Sequence, residues 1–187
     1  MAGAKISLSA NFSPLDKLFE GVENIPDDMT DLFNQIGILL VDSTGQRFLT
    51  SVGPDGKAWE PSQRAIKSGG NTLLKAGHLL QSLTYISDRN SVEIGSNIIY
   101  AAIHQFGGDI KKKERSQDLF FRQNKKTGKV GNRFVKKSRS NFAQKATVGA
   151  HSITMPARPY LGLDDNDNNN IIDIVGDYIR DTIQAST

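Results

Sequence analysis

Apolar residues recur at helical spacing in two long stretches of the chain. Over residues 27–50 they follow the i, i+3, i+4, i+7 pattern, which predicts a long amphipathic helix with its apolar face in the core. Over residues 167–184 the same spacing follows a segment rich in Asp and Asn, whose side chains can cap a helix N-terminus. The sequence therefore predicts a second long helix at its C-terminal end.

Between these helices the pattern of apolar residues favours strands. Residues 83–87 and 92–95 flank a turn-forming Asp-Arg-Asn trio and predict a β-hairpin. The run 98–103 predicts either a further strand of the same sheet or the beginning of a short helix, since its two alanines favour a helix. Residues 152–155 alternate and predict a strand that returns to the sheet.

Other segments are less regular. A short helix interrupted near Gly77 is predicted over 72–83, whereas the polar residues 63–71, with two glycines, are expected to be mobile. Residues 5–9 are typical of a strand or a loose tail, and residues 15–19 of a short helix. The predicted fold class is α+β, with a small antiparallel sheet packed by a long N-terminal and a C-terminal helix. We expect residues 1–187 to form a single domain in which 109–150 is an insert.

Two stretches are unusually rich in residues that constrain the backbone. Residues 104–108 (HQFGG) end the apolar run with two glycines, which allow positive φ. Residues 155–163 (MPARPYLGL) place Arg158 between two prolines that fix φ and favour extended conformations before them. We therefore place the centre of the fold in these two stretches and expect the segment between them to loop out.

Five short motifs occur along the chain in a fixed order. They are PDGKxWxP over 54–61, LxxGxLxxS over 74–82, IG at 94–95, YAxxHQFGG over 100–108 and PARPYLG over 156–162. Together they resemble the phage virion morphogenesis family, the tail-completion or head-tail joining proteins of Mu-like and related tailed phages. The resemblance runs from residue 29 to the C-terminus. The first 28 residues carry none of the motifs, and 109–150 is longer than the motif pattern needs.

The resemblance implies a structural assembly protein rather than an enzyme. Copies would form a homo-oligomeric ring, with a hexamer favoured, at the head-proximal end of the tail in the neck or tail-terminator region. The implied partners are tail-tube and neck proteins, and the implied location is the virion of a phage or prophage, after assembly in the host cytoplasm. The resemblance also implies that motif residues shape the shared fold. These are Trp59, Gly77, Tyr100, His104, Gln105, Phe106, Gly107, Gly108, Arg158, Pro159 and Tyr160.

Composition narrows the class of protein. The apolar content of 37% and charged content of 23% are ordinary for a soluble protein. The chain has no cysteine, which excludes disulfides and thiolate metal ligands. The N-terminus lacks the apolar segment of a signal peptide, and no apolar run approaches the roughly 18 residues of a membrane span. We therefore expect a soluble cytoplasmic protein with no membrane partner.

The formal net charge of +3 hides an uneven distribution. Residues 109–150 hold 13 Lys and Arg against 3 Asp and Glu, a net charge of +10, and the remainder is net −7. Such a run is typical of a solvated surface, of a site for an acidic protein, or of non-specific contact with DNA phosphates. The residues expected to make partner or DNA contact are Lys111, Lys112, Lys113, Arg122, Lys125, Lys126, Arg133, Lys136, Lys137 and Arg139.

The alternative function that the sequence leaves open is a basic nucleic-acid-binding module acting through residues 109–150. No signature of sequence-specific readout supports it. Within the insert, residues 118–123 are predicted to pair with 133–137 across a turn at 125–129, which gives a β-hairpin-like arm. We expect this arm to be mobile in the free protein, to be cut first by trypsin, and to become ordered against an acidic neighbour.

The sequence gives little support for a catalytic, metal or ligand-binding site. His104 beside Gln105 invites a catalytic interpretation with Asp109 or Glu93, but no nucleophile or paired carboxylates accompany it. The Asp- and Asn-rich residues 164–170 resemble a cation site, yet they lack the glycine and final Glu of an EF-hand, which favours helix capping. The sequence predicts no catalytic residue, no metal and no cofactor. The single tryptophan is predicted to anchor its loop by packing rather than to stack on a ligand.

Overall fold

The structure is a computed structural model that describes residues 28–185. The chain forms two compact units: one contains the described residues up to Gly108 and those from Pro156 onwards, and the other is Asp109–Met155. The predictions for residues 5–9 and 15–19 lie outside the described residues. Whether residues 1–187 fold as a single cooperative domain stays a prediction.

The long N-terminal helix is confirmed as α1, Thr30–Thr50. Its buried face continues the predicted apolar stripe, and Ser51 ends the helix in the left-handed conformation. Gly37 lies on this face, where an added Cβ would come within 2.3 Å of the Tyr85 ring. The absence of a side chain at Gly37 therefore allows the helix to approach the neighbouring strand closely.

The described part of the first unit contains an antiparallel hairpin, as predicted. Strand β1 (Leu83–Ser87) pairs with β2 (Val92–Ser96), with Tyr85 opposite Ile94. Helix α1 packs on both strands and on the C-terminal helix α5, Asp165–Ala185, which confirms the second long helical prediction. The result is a helical layer on a two-stranded sheet, and the predicted α+β class is confirmed.

Short helices occupy the connections. Helix α2 (Gln63–Ser68) lies where only a mobile polar segment was expected, and Ser62 caps it by accepting a hydrogen bond from the Ala65 N–H. The helix predicted over 72–83 is wrong in extent, because α3 is only His78–Gln81. The predicted interruption near Gly77 is present, since Leu73 and Gly77 both have positive φ, a conformation that cannot continue a right-handed helix.

The run 98–103 is resolved in favour of a helix. Helix α4 is Ala101–Phe106, and the two glycines that follow it have φ of 69° and 132°. It follows β2 directly and ends where the chain leaves the first unit. The core of this unit combines α1, β2, α4, α5 and the segment around Tyr160. Each fully buried large side chain, such as Phe48 or Ile36, contributes about 1.5–3 kcal/mol by leaving water.

The second unit is built from two nested strand pairs. The outer pair joins β3 (Gly108–Lys112) to β6 (His151–Met155), and the inner pair joins β4 (Arg115–Phe121) to β5 (Phe142–Val148). Two residues connect β3 to β4 and two connect β5 to β6. The strand predicted over 152–155 therefore exists, but it pairs within this unit and does not return to the β1·β2 sheet.

The predicted pairing inside the insert is also wrong. Residues 118–121 form a strand as expected, but the partner of β4 is β5, in seven antiparallel pairs from Arg115 opposite Val148 to Phe121 opposite Phe142. The predicted partner, residues 133–137, stays outside the strands, and Lys137–Arg139 form a turn of 3₁₀ helix. A turn does form close to the predicted 125–129, but it lies one residue earlier, at 124–128, and is closed by a bond of 2.8 Å from Gly128 N–H to Asn124 C=O.

Candidate functional site

The two constrained stretches meet through the side chain of Gln105, a buried residue of α4. Its Oε1 accepts hydrogen bonds from the backbone N–H groups of Tyr160 (2.9 Å) and Leu161 (3.0 Å). Its Nε2 donates to the Leu161 carbonyl oxygen at 2.9 Å. One amide side chain thus satisfies three backbone groups of a segment that has no strand partner of its own. We call this set of contacts, with those of Arg158 and Trp59 below, the motif junction.

Arg158 adds a second link between the same stretches. Its backbone N–H donates to the His104 carbonyl oxygen at 2.7 Å, and its Nε donates to the Glu60 carbonyl oxygen at 2.8 Å. The side chain is buried, and this burial lowers the pKa of the guanidinium, against a smaller opposing effect of the Glu60 charge. The guanidinium is therefore engaged in holding two loops together.

Aromatic packing completes the junction. Trp59 is buried, and its Nε1 donates to the Pro159 carbonyl oxygen at 2.8 Å. Its ring packs edge-on against Phe48 of α1, whose ring centroid also lies 5.2 Å from that of Tyr160. The Tyr160 hydroxyl donates to the Ala101 carbonyl oxygen at 3.3 Å, and burial raises the pKa of this phenol to about 12. Trp59 therefore anchors its loop by packing.

His104 contributes its backbone carbonyl oxygen to the junction, and its side chain is partly buried. Its Nδ1 is buried and has no hydrogen-bond partner among residues 28–185. Its ring lies edge-on to Tyr100, with centroids 5.9 Å apart. Burial, and to a lesser degree the charge of Arg158, lowers the pKa of this imidazole. No carboxylate hydrogen-bonds the ring within the described residues, so the catalytic interpretation with Asp109 or Glu93 gains no support.

A buried ion-pair cluster beside the junction was missed by the sequence analysis. Arg47 of α1 donates through Nη1 to the carbonyl oxygens of Tyr160 (3.0 Å) and Gly162 (2.7 Å). Its Nη2 donates to carboxylate oxygens of Asp164 and Asp167, the latter almost fully buried. The signal was present, since a charged residue on the apolar stripe of α1 needs a buried partner.

The Asp-rich segment caps a helix, as predicted. Asp167 N–H donates to Asp164 Oδ1 at 2.9 Å, and Asp164 N–H donates to an Asp167 oxygen at 3.1 Å, which is the reciprocal arrangement of a capping box. Burial alone would raise the pKa of Asp164, but hydrogen bonds from Asp167 N–H and Arg47 outweigh it and lower that pKa.

A cleft of about 750 Å³ lies between this Asp-rich segment, α1 and the turn at 52–56.

Metal and membrane sites find no support in the described residues. Across residues 28–185, no three His, Cys, Asp or Glu side chains are placed to hold a metal ion. Within the same range, no helix is long and apolar enough to cross a membrane.

Comparison with known proteins decides the family. The model of the phage virion morphogenesis family matches residues 10–180. The chain belongs to that family. Searches of curated proteins and of solved structures each returned no match. The family is named for the assembly of phage virions, so the chain has a role in virion assembly and is virion-associated.

In this member of the virion morphogenesis family, the predicted motif residues divide into two groups. Gln105, Arg158, Pro159, Tyr160 and Trp59 are brought together in the motif junction, together with His104 through its backbone carbonyl oxygen. Other motif residues lie apart from those contacts or point to solvent. Gly107 and Gly108 supply the positive φ that ends α4, and Gly77 supplies it before α3. Whether these residues serve the fold of the whole family stays a prediction.

Large apolar side chains flank α4 and face solvent. Ile99 is 80% exposed and Phe106 is 67% exposed, while Tyr100 is partly exposed. Single exposed apolar residues are common on protein surfaces, but three within eight residues beside a buried motif are typical of an interaction surface. We call Ile99, Tyr100 and Phe106 the α4 surface.

The basic residues of the insert fall into two places. Lys111, Lys112 and Lys113 end β3 and begin the connection to β4, whereas the others lie in the connection from β4 to β5. All ten are exposed, and none forms an ion pair with any residue of the described chain. We call residues 122–141, which connect β4 to β5, the insert tip.

Replacing Arg158 with Ala is expected to destabilise the protein by about 1.5–3 kcal/mol, because it removes a charge-assisted hydrogen bond from a buried site. The matched control Lys136→Ala changes an exposed cation and should shift the unfolding free energy by less than about 0.5 kcal/mol. Urea unfolding followed by circular dichroism measures both. Equal stability of the two variants would contradict the role given to Arg158.

Because the pKa of His104 is lowered in the folded state, folding favours its neutral form. This contribution to stability is complete above the unfolded pKa of about 6.5 and is lost as the pH falls below it. We expect His104→Leu to lose less stability than the parent protein between pH 7 and pH 5, with His151→Leu as an exposed control. Parallel pH profiles for parent and His104→Leu would count against this account.

Proposed function

We propose that this chain is a structural protein without catalytic activity that completes the head-proximal end of a phage tail. Copies assemble into a ring, with a hexamer favoured, and the ring makes the tail competent to join the head. Its partners are the tail tube and the neck proteins. Family membership supports virion assembly, and the position on the tail and the ring are the parts that we add.

One observation carries the proposal: the polar side chains of Gln105, Arg158 and Tyr160 form hydrogen bonds within the protein. Both polar atoms of the Gln105 side chain bond backbone groups, in three hydrogen bonds. Nε of Arg158 donates to the Glu60 carbonyl oxygen, and the Tyr160 hydroxyl donates to the Ala101 carbonyl oxygen. Catalytic groups need free polar atoms that face a substrate. The motifs therefore support a rigid body, which favours a protein that acts through its surfaces.

The α4 surface is the part of the first unit that we assign to contact between copies. Its side chains lie directly beside the motif junction, so their positions are fixed by the most constrained part of the fold. Ring formation buries one surface of each copy against a different surface of the next, and large aromatic residues dominate the energies of such contacts. Phe106, at the end of α4, is the residue with the largest expected contribution.

The test compares Phe106→Ser with Ile86→Ser, since both side chains are apolar and exposed in the same unit. Sedimentation and mass measurements on the full chain report its oligomeric state, and urea unfolding reports the stability of each variant. We expect Phe106→Ser to stay folded but to assemble at least tenfold more weakly, and Ile86→Ser to assemble like the parent protein. Unchanged assembly of Phe106→Ser would overturn the assignment of this surface.

A further inference from the structure

The charge of the insert is concentrated at its tip. Residues 122–141 contain eight Lys and Arg and no Asp or Glu. Residues 109–150 were expected to form one basic segment. The pairing of β4 with β5 instead separates the tip from Lys111, Lys112 and Lys113 by the seven-residue length of β4. At about 3.4 Å per residue, this separation is on the order of 20 Å. The tip is therefore a distinct cationic surface.

The backbone of the tip is held by its own hydrogen bonds. The side chain of Asn141 contacts Gln123 twice, accepting from its N–H at 2.7 Å and donating to its carbonyl oxygen at 2.8 Å. Arg122 Nε donates to the Arg139 carbonyl oxygen at 3.0 Å, which closes the tip across its base. The cationic side chains thus project from a backbone with internal support, and none has an acidic partner within residues 28–185.

The chemistry of the tip favours a phosphate backbone over an acidic protein. Five of its eight cations are lysines, a residue that is depleted in protein–protein interfaces but neutralises phosphates well. A protein partner would also be expected to meet some acidic or apolar residues at the centre of the contact, and the tip offers only Phe134 and Val130 as exposed apolar side chains. No helix of the tip is long enough to enter a DNA groove and read bases.

We propose that the insert tip binds the phosphate backbone of duplex DNA without sequence preference. This inference goes beyond the proposed function and does not depend on the ring or on the position along the tail. It requires only that the tip cations release the counterions of the duplex when they bind, which makes the affinity fall steeply with salt.

The experiment measures binding of the full chain to a fluorescein-labelled duplex of about 30 base pairs by anisotropy, between 50 and 200 mM NaCl. Six to eight phosphate contacts predict a loss of affinity of about 10³-fold or more over this range. The tip variant Lys125→Gln/Lys126→Gln/Lys129→Gln should bind roughly tenfold or more weakly at 100 mM NaCl and show a shallower dependence on salt. A parent protein with little dependence on salt would overturn the proposal.

The matched control is Lys111→Gln/Lys112→Gln/Lys113→Gln, which removes the same charge from the same unit. We expect its affinity to stay within about threefold of the parent value. Equal losses in the two triple variants would overturn the assignment to the tip.

Unlabelled polyglutamate is the competitor that represents an acidic protein. If it displaces the duplex at equal charge concentration, the partner is an acidic polypeptide and the proposal is overturned. Circular dichroism confirms that each variant is folded.

Tail completion is scored separately with the same variants, so the two proposals can fail independently. A tip variant that completes tails but no longer binds DNA leaves both the proposed function and the tip assignment in place. A tip variant that binds DNA like the parent protein overturns only the tip assignment, whatever its effect on tails.

Discussion

Replacing Arg47 with Met is expected to destabilise the protein by about 3–5 kcal/mol, because it leaves the buried carboxylate of Asp167 without its cation. The same change removes both bonds to the backbone carbonyl oxygens of Tyr160 and Gly162. Met fills much of the volume of Arg, so the effect reports lost charge and hydrogen bonds rather than a cavity. Equilibrium unfolding in urea at pH 7 measures it.

The matched control is Arg180→Met, which breaks an arginine–aspartate pair on the exposed face of α5. Both partners of that pair are mostly exposed, so solvent and salt screen it and its loss should cost less than about 1 kcal/mol. If Arg47→Met and Arg180→Met lowered stability equally, the buried cluster would not hold α1 to α5 as described.

Replacing Gln105 with Ala is the second substitution with a large expected effect. It leaves the N–H groups of Tyr160 and Leu161 and the carbonyl oxygen of Leu161 without a partner in a buried site. Each unsatisfied group costs about 1–3 kcal/mol, so the variant should lose about 3 kcal/mol or more. Urea unfolding measures the loss, and Gln184→Ala, at an exposed position of α5, is the control. A loss below about 1 kcal/mol would contradict the central place of Gln105 in the junction.

The two substitutions act on the same segment from opposite sides, since Arg47 and Gln105 both bond the backbone of Tyr160. Residues that share a partner show non-additive effects. The double variant should therefore lose less stability than the two single losses added together, and the unfolding free energies of the cycle measure the difference. Strict additivity would indicate that the two contacts hold independent parts of the fold.

The sequence predicted best those elements whose pattern is local. The apolar stripe of 27–50 predicted α1 to within three residues at its start. The strand-like residues on both sides of the turn at 88–90 predicted the β1·β2 hairpin. The capping residues before α5 were also correctly interpreted, because a capping box involves neighbours three residues apart.

The pairing of strands that are distant along the chain could not be predicted from the sequence. Strand β4 was predicted near its true position, but the nearby residues 133–137 were chosen as its partner over β5. A short loop is the simplest closure, yet β5 offers seven aligned pairs and places Phe142 opposite Phe121. Residues 133–137 do reach the same end of β4, where the Phe134 ring packs on Phe121 and the Val135 N–H donates to the Phe120 carbonyl oxygen, but they form no strand there. Local turn chemistry was right, since Asn124 and Gly128 do close a turn, but it does not select the partner strand.

The sequence predicted several residues of the candidate site but not the contacts that they make. The motifs marked Gln105, Arg158 and Tyr160 as important, but sequence order alone does not show that one glutamine bonds the backbone 55 and 56 residues away. Arg47 lay outside every motif, and its role depends on the position of α5, which is a tertiary property. A cation on an apolar helical stripe together with a distant cluster of aspartates is the signal to look for in related chains.

The measurement that tests the central claim most directly is imaging of tails purified from the phage that encodes this chain, with the gene intact and deleted. We expect a ring of density at the head-proximal end of intact tails, which antibody labelling assigns to this chain. We also expect that tails from the deletion lack the ring and do not join heads in vitro until the purified protein is added. Tails that join heads normally without this chain, or labelling at any other place on the particle, would contradict the proposed function.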